Sequence, residues 1–412
     1  MENKTALLSR LKDKFYSSLN KFSNSNKQIV KNIPIDKILR GSEGDALTGL
    51  EYIRMTGDKF RPSTRVIDGP QVKLLQEYLE IGESLFEPEI FENTLYYKNA
   101  LESIHYLGDY FDAARDPQSI IKVARRYVDS FMEKDLSKYS HIGHNDYNEK
   151  IVVRPIINSD CYQIVSGNHR VASNFIKGNK EIGALVNVNE NTHTYFTELI
   201  DKVVWDQGKE LYHPIPLPEM SNMILIRKCA DRFEKMMKYL KDVNFDLNTK
   251  SVIDIGSYYG WFVDQFKRNG AHAFGLERDF SACRLSMELH SLKETELLNK
   301  PLEDFIENDT KNYDIMIFLS VLHHFALKKS YLTAEYVIKK LSEKTNDIMF
   351  FDTGEEHETM FNSSLKGWNE KTITDFILNN SDFTEVIPLG RDEDGVGKYI
   401  GNYQRMLFVL KK

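Results

Sequence analysis

Between residues 251 and 351 the sequence alternates short, nearly continuous apolar runs with stretches of helical periodicity, and few architectures accept that pattern. Ser251 to Ile255, Ala271 to Leu276, Ile315 to Leu319 and Asp347 to Phe351 read as strands, and Trp261 to Arg268, Ala282 to His290 and Tyr331 to Leu341 read as helices between them. A strand that is apolar on both faces must be covered on both, which a parallel sheet with helices on either side provides. The spacing also predicts a helix over Asn222 to Leu240 ahead of the first strand. Two β-rich runs, Thr384 to Ile387 and Arg405 to Leu410, are expected to close as a hairpin on the sheet edge.

A chain of 412 residues is too long for this unit alone and implies two or three domains. Residues 1–31 carry seven Lys or Arg against two acids, with Leu7, Leu8, Leu11, Phe15, Leu19 and Phe22 near helical spacing. They read as a basic amphipathic helix, which suits either docking on its own domain or peripheral contact with an anionic membrane surface. Residues 32–191 mix helical segments (Val72 to Ile81, Pro117 to Leu136 with Asp116 as cap) with short strands (Ile151 to Ile157, Tyr162 to Val165, Ala184 to Val188), an α+β pattern. Residues 192–222 read as a linker, because Pro214, Pro216 and Pro218 cannot continue a helix or central strand. Residues 223–412 form the α/β domain.

Three widely spaced cysteines, Cys161, Cys229 and Cys283, give neither a disulfide framework nor a CxxC metal pair. The uncharged run Ile315 to Leu327 is too short to span a bilayer. A secretory signal is not expected, and a cytoplasmic location is. A net charge of −7 lacks the basic footprint of a duplex-binding protein, so nucleic acid is not an expected partner.

The chemistry concentrates in Val252-Ile-Asp-Ile-Gly-Ser-Tyr-Tyr-Gly-Trp-Phe262, followed by Phe274-Gly-Leu-Glu-Arg278. Glycines at a strand-to-helix turn admit a ligand close to the backbone, and the helix starting near Trp261 directs its positive end there. Glu277, with Arg278 beside it, ends the second strand, where an acid accepts hydrogen bonds from ribose hydroxyls. A dinucleotide pocket wants G-x-G-x-x-G to seat pyrophosphate. Here Gly256 and Gly260 stand alone and Asp254 precedes them; a carboxylate there repels pyrophosphate and suits a sulfonium or ammonium ligand.

On these residues, 223–412 resembles the class I S-adenosylmethionine-dependent methyltransferases, which implies a Rossmann-like seven-stranded sheet and S-adenosyl-L-methionine as cofactor. Asp254, Gly256 and Gly260 match the first motif, with Tyr258 where a glycine often stands, and backbone contacts from Ser257 and Tyr258 are expected. Glu277 matches the ribose acid. Tyr313-Asp-Ile-Met-Ile-Phe-Leu-Ser-Val-Leu-His-His324 resembles the fourth strand and its exit loop, which implies Leu319 and Ser320 at the methyl-transfer region. His323 or His324 is then placed to take a proton from an acceptor hydroxyl. Pro301-Leu-Glu-Asp-Phe305 resembles the adenine-contact segment and implies Glu303 or Asp304 there. Glu355, Glu356 and His357 follow the next strand and read as an exposed acidic loop, or as acceptor or metal ligands; no metal is assigned.

In the N-terminal half, Val152-Val-Arg-Pro-Ile156 and Tyr162-Gln-Ile-Val-Ser-Gly-Asn-His-Arg-Val-Ala172 read as strand, strand, tight turn and helix start. Ser166, Gly167, Asn168, His169 and Arg170 offer amides, a helix N-terminus and cationic side chains to one anion. The segment resembles the ParB/sulfiredoxin fold, whose members bind nucleotide phosphates, which implies ATP with Mg2+ here. Ile33-Pro-Ile-Asp-Lys-Ile-Leu-Arg-Gly-Ser-Glu43 is similar to the family's opening strand and implies Glu43 as an acidic base. Asn168 stands where sulfiredoxin chemistry requires cysteine, and the insertion between Ala46 and Glu149 departs from a minimal domain.

Methylation of a base amine usually goes with Pro-Pro-Tyr after the fourth strand in the related families; Ser320-Val-Leu-His stands here instead. Oxygen methylation of a small-molecule or saccharide acceptor, or of a phosphate, follows by elimination. The leading expectation is a methyltransferase joined to a nucleotide-binding, kinase-like domain, as would serve surface polysaccharide biosynthesis. The alternatives are a DNA-directed modification enzyme and a non-catalytic N-terminal module that recruits substrate.

Overall fold

A computed structural model of the chain describes residues 28–41, 63–108, 110–134, 150–203 and 210–412. Residues 1–27 and Glu43 lie outside the described residues, and with them the membrane-surface helix and the acidic-base expectation. The chain divides into two compact units, Met1–Thr197 with Pro216–Asn222, and Glu198–Ile215 with Met223–Lys412.

The first unit holds a mixed five-stranded sheet in the order β1-β5-β3-β4-β2, formed by β1 (Gln28–Pro34), β2 (Ile38–Leu39), β3 (Ile151–Pro155), β4 (Tyr162–Ser166) and β5 (Glu181–Asn187). Residues 28–31, read in sequence as the end of the N-terminal helix, are β1, paired antiparallel to β5 from Gln28↔Asn187 onward. Helices α1 (Pro70–Ile81), α2 (Leu95–Leu107) and α3 (Pro117–Phe131) come from the long insertion and share an aromatic-rich core of Phe86, Phe91, Tyr96, Tyr110 and Tyr127. The Asp116 side chain caps α3 by accepting from the Ser119 amide at 2.9 Å. Helix α4 (Asn168–Ile176) follows β4 through Gly167.

The second unit is built on a seven-stranded sheet in the order β10-β9-β8-β11-β12-β14-β13. Its strands are β8 (Ser251–Ile255), β9 (His272–Glu277), β10 (Leu297–Asn299), β11 (Tyr313–Leu319), β12 (Thr345–Asp352), β13 (Glu385–Arg391) and β14 (Met406–Lys411). Strands β10, β9, β8, β11 and β12 are parallel, and β14 enters antiparallel between β12 and β13. The C-terminal pair is therefore a hairpin whose second strand lies innermost. The apolar runs have a physical cause. Met316 and Phe318 pack with Ile253, Met349 and Phe351 on one face, while Ile315, Ile317 and Leu319 pack with Val252, Ile348 and Phe350 on the other.

The covering helices are α5 (Ala230–Asp242), α6 (Trp261–Arg268), α7 (Phe280–His290), α8 (Leu302–Asn308), α9 (Leu322–Ala326), α10 (Ala334–Lys344) and α11 (Glu370–Asn380). Helix α5 begins eight residues later than its periodicity suggests. Ile224–Leu225 (β7) is spent pairing with Glu210–Leu211 (β6), and Cys229 takes φ +64, which stops helix from extending backward. Among the described residues no helix is long and apolar enough to cross a membrane. From β8 the chain goes outward to β9 and β10, then returns to β11 on the other side. The carboxyl ends of β8 and β11 thus flank the switch point where open α/β sheets bind ligands.

Candidate functional site

The turn leaving β8 alternates left-handed residues: Gly256 (φ +76), Tyr258 (φ +51) and Gly260 (φ +72). Two glycines make this turn affordable, and the Tyr258 ring, stacked on Tyr259 with centroids 4.0 Å apart, steadies the third position. The Gly256 and Ser257 amides both donate to the Leu276 carbonyl (2.8 and 3.0 Å), and Gly260 donates to Ser257 O at 2.8 Å. Tyr258 donates to Glu277 Oε2 at 3.1 Å. The backbone contacts expected from Ser257 and Tyr258 are therefore already committed inside the protein. An anion finds few donors in this turn, in keeping with the missing dinucleotide glycine.

A Cβ on Gly260 would fall 1.9 Å from Ser286 Oγ on α7. Gly260→Ala is expected to cost about 2 to 3 kcal/mol from strain and clash together, and Ser286→Ala in the same chain is expected to return part of it. Thermal unfolding of the single and double variants measures both.

Asp254 and Glu277 end adjacent strands in register, Asp254 opposite Gly275 and Ile255 opposite Leu276. Asp254 is 4% exposed, and burial pushes its pKa up to about 7; Arg232 opposes this and the Glu277 charge adds to it. Burial also raises Glu277, against the pull of the Asp279 and Tyr258 amides, which each take one of its oxygens at 2.8 and 3.1 Å. A carboxylate has about four acceptor positions, so two remain for a pair of hydroxyls. A buried acid with no ion-pair partner among the described residues, beside a half-satisfied acid, fits a cationic nucleoside, and the committed amides fit it equally.

At the exit of β11, Leu319 is buried and Ser320 is held at φ +60. Asp352, ending β12, fixes Ser320 by accepting from its amide at 2.7 Å and its hydroxyl at 3.1 Å. Asp352 belongs to a buried ionic network that sequence reasoning missed. Arg232 donates to Asp352 (3.0 Å) and Asp394 (2.9 Å), Arg227 to Asp392 (2.8 Å) and Ser320 Oγ (3.3 Å), and Arg405 to Glu358 (2.8 Å). The traceable sequence signal was an aspartate closing an apolar strand and the Asp392-Glu-Asp394 loop.

His323 is buried against Phe361, and its Nδ1 accepts from the Gly354 amide at 3.2 Å. Burial, with Arg405 and His324, drives its pKa down to about 2. His324 is half-buried and pushed down to about 4 by burial, Lys329 and Arg278. Both imidazoles are neutral at neutral pH. Glu303 accepts from Ser330 Oγ at 2.6 Å, Asp304 pairs with Lys300 at 3.5 Å, and Arg278 is exposed next to Glu277. Glu355 is not on an exposed acidic loop: it is 2% exposed and accepts from Arg391 at 3.0 Å and the Met406 amide at 2.6 Å. Glu356 accepts from the Gly367 amide at 2.8 Å, and His357 meets Tyr403 O at 2.9 Å.

In the first unit the turn from β4 to α4 brings Ser166, Gly167, Asn168 and Arg170 together. Gly167 takes φ +112, and a Cβ there would lie 2.9 Å from Ile151 and 3.2 Å from the Arg170 guanidinium. Arg170 Nη2 donates to Ser166 Oγ at 3.3 Å. His169 is held from the side by an aromatic cluster. Its Nε2 is hydrogen-bonded to Tyr96 Oη at 2.9 Å, and its ring sits edge-on to Tyr96, Phe111 and Tyr127.

No family model matches the chain, and no curated protein does. Among solved structures, the chain is similar to the bifunctional kinase-methyltransferase WbdD, at 15% identity over 52% of this chain and 45% of that one, with a TM-score of 0.41. It is also similar to the magnesium protoporphyrin IX methyltransferase ChlM from Synechocystis PCC 6803, solved with bound SAM, at 14% identity over 44% of this chain and 83% of that one, with a TM-score of 0.31. The chain thus spans under half the length of WbdD.

Proposed function

We propose that the second unit is an S-adenosyl-L-methionine-dependent methyltransferase that methylates an oxygen of a small-molecule, saccharide or phosphate acceptor. The observation carrying this reading is the pair of buried acids, Asp254 and Glu277, at the switch point of the sheet, astride a glycine turn in which the Gly256, Ser257, Tyr258 and Gly260 amides are committed. When bound, the cofactor supplies a methyl group on a cationic sulfur. Asp254 holds the positive charge in a site closed to water, and Glu277 accepts from the ribose hydroxyls while fixing the Tyr258 amide. Ser320, pinned by Asp352, shapes the edge that the acceptor approaches. His324 is the better placed of the two histidines to take a hydroxyl proton, since Nδ1 of His323 already accepts from Gly354. Positioning supplies most of the remaining acceleration.

The first unit is proposed to bind nucleotide phosphate, with Mg2+, at the Ser166–Arg170 turn. A kinase activity there would make a product for methylation by the second unit, an arrangement that would suit surface polysaccharide biosynthesis, and a recruiting role is the alternative. Isothermal titration with S-adenosylhomocysteine tests the second unit, and a folded chain giving no heat would remove the proposal. For the first, ATP with Mg2+ is expected to raise the melting temperature, and Arg170→Ala to abolish that rise while leaving the response to S-adenosylhomocysteine intact.

His324→Ala is expected to lower the methylation rate about 10²-fold without changing cofactor affinity. Because the His324 pKa is depressed to about 4, it stays unprotonated above that pH, so its contribution is constant from pH 6 to 9 and is lost on acidification through about 4. Rates of wild type and variant across that range measure this.

A further inference from the structure

Resting on the methyl-donor reading of the second unit, we propose that Glu210–His213 is a wall of the donor pocket and that His213 is a positioning residue that fixes the Tyr258 ring over the glycine turn. The segment precedes β8 by some forty residues and was read in sequence as linker, yet it belongs to the second compact unit. It is anchored on several sides. Glu210 and Leu211 pair with Ile224 and Leu225, and the Ile226 amide donates to Leu211 O at 2.9 Å. Lys398 and Tyr399 donate to Glu210 Oε1 at 2.7 and 2.8 Å.

Its last two residues reach both sides of the switch point. On the β8 side, the Tyr212 ring stands edge-on to Tyr258 (5.8 Å, 87°), and the His213 ring stands edge-on to Tyr258 (5.6 Å, 86°) and Tyr259 (6.1 Å, 88°). On the β11 side, Arg227 Nη1 donates to Tyr212 Oη at 3.1 Å and to Ser320 Oγ at 3.3 Å. Tyr258 occupies a left-handed position where a side chain is costly without support. Tyr259 supplies a stacking face, and Tyr212 and His213 supply edges. His213 is 5% exposed, its Nδ1 has no hydrogen-bond partner among the described residues, and burial with Arg232 and Arg227 nearby keeps the ring neutral. A neutral edge supports an aromatic ring beside a cationic ligand without repelling that ligand.

The test uses the full chain with S-adenosylhomocysteine, read by calorimetry and by hydrogen exchange of residues 210–213. Wild type is expected to give heat and at least tenfold slower exchange across this segment on binding. Heat without protection of 210–213 would overturn the proposal and leave the cofactor site standing; absence of heat would instead remove the cofactor site itself. His213→Phe, which keeps the ring edge, is expected to hold affinity within threefold, and His213→Gln to lose at least tenfold. Equal affinities, or the reverse order, would overturn the positioning role. Glu210→Ala releases the rim anchor without touching the buried rings and guards against a folding defect. It is expected to weaken binding about threefold and speed exchange at 210–213, and no change in either counts against the wall.

Discussion

Asp254→Asn is expected to weaken S-adenosylmethionine binding by roughly a thousandfold and, at pH 8, to raise the melting temperature of the ligand-free protein. The two effects have one cause. A carboxylate facing a cation at about 4 Å gains about 4 kcal/mol at an effective dielectric of 20, which is about three decades of affinity. Without the cation the same carboxylate is a burden. Burial lifts its pKa from the ordinary 3.8 to about 7, so between those values the folded chain holds a proton that the unfolded chain has released. Stability therefore falls as pH rises through this window, and above pH 7 the cost of the bare charge is on the order of 4 kcal/mol. Asparagine removes it, and a gain of several degrees should appear at pH 8 and vanish by pH 4.

The wild type carries the matching signature. Cofactor affinity should drop as pH falls below about 7, by up to tenfold per pH unit, and binding near neutrality should release a proton. Calorimetry in buffers of differing ionisation enthalpy counts that proton. An Asp254→Asn chain with unaltered affinity would show that the positive charge lies elsewhere.

How much of this was visible in the residues differs by element. Strands β8, β9, β11 and β12 were legible because burial on both faces leaves an unbroken apolar run, as in Ile315 to Leu319. Strand β10 was not: Leu297–Asn299 spans three residues between Glu296 and Lys300, too few to show periodicity. Asp254, Gly256, Gly260 and Glu277 could be read together because local chain geometry sets their spacing. The ionic network could not, since Arg232 meets Asp352 and Asp394 across 120 and 162 residues, and nothing in an arginine's immediate neighbours reports such a partner. Tyr212 and His213 were hidden for the opposite reason: the nearby prolines made the whole stretch look like a connector.

That network makes the second large effect. Asp352→Ala is expected to cost about 3 to 5 kcal/mol, because it removes one of the two carboxylates paired with Arg232, and the Asp352 charge beside Arg405, in a site where Asp352 and Arg232 are 0% and 2% exposed. For a unit of this size the melting temperature should fall by roughly 10 °C or more. The transition to follow is the one that S-adenosylhomocysteine raises. Burial opposes the Asp352 charge, but Arg232, Arg405 and Arg227 outweigh it and hold its pKa below the ordinary value. Its contribution is therefore present above about pH 4 and is lost on acidification through that lower pKa, so variant and wild-type stabilities should converge in acid. Asp352→Asn separates charge from shape: its oxygen can still accept from the Ser320 amide, so donor binding should survive where the fold does. Asp352→Ala also frees Ser320 from φ +60, and methyl transfer in whatever folded fraction remains should fall further than cofactor affinity. If Asp352→Ala melts like wild type at pH 7, the arginines have found other partners, and neither the network nor its hold on Ser320 is what organises this edge of the sheet.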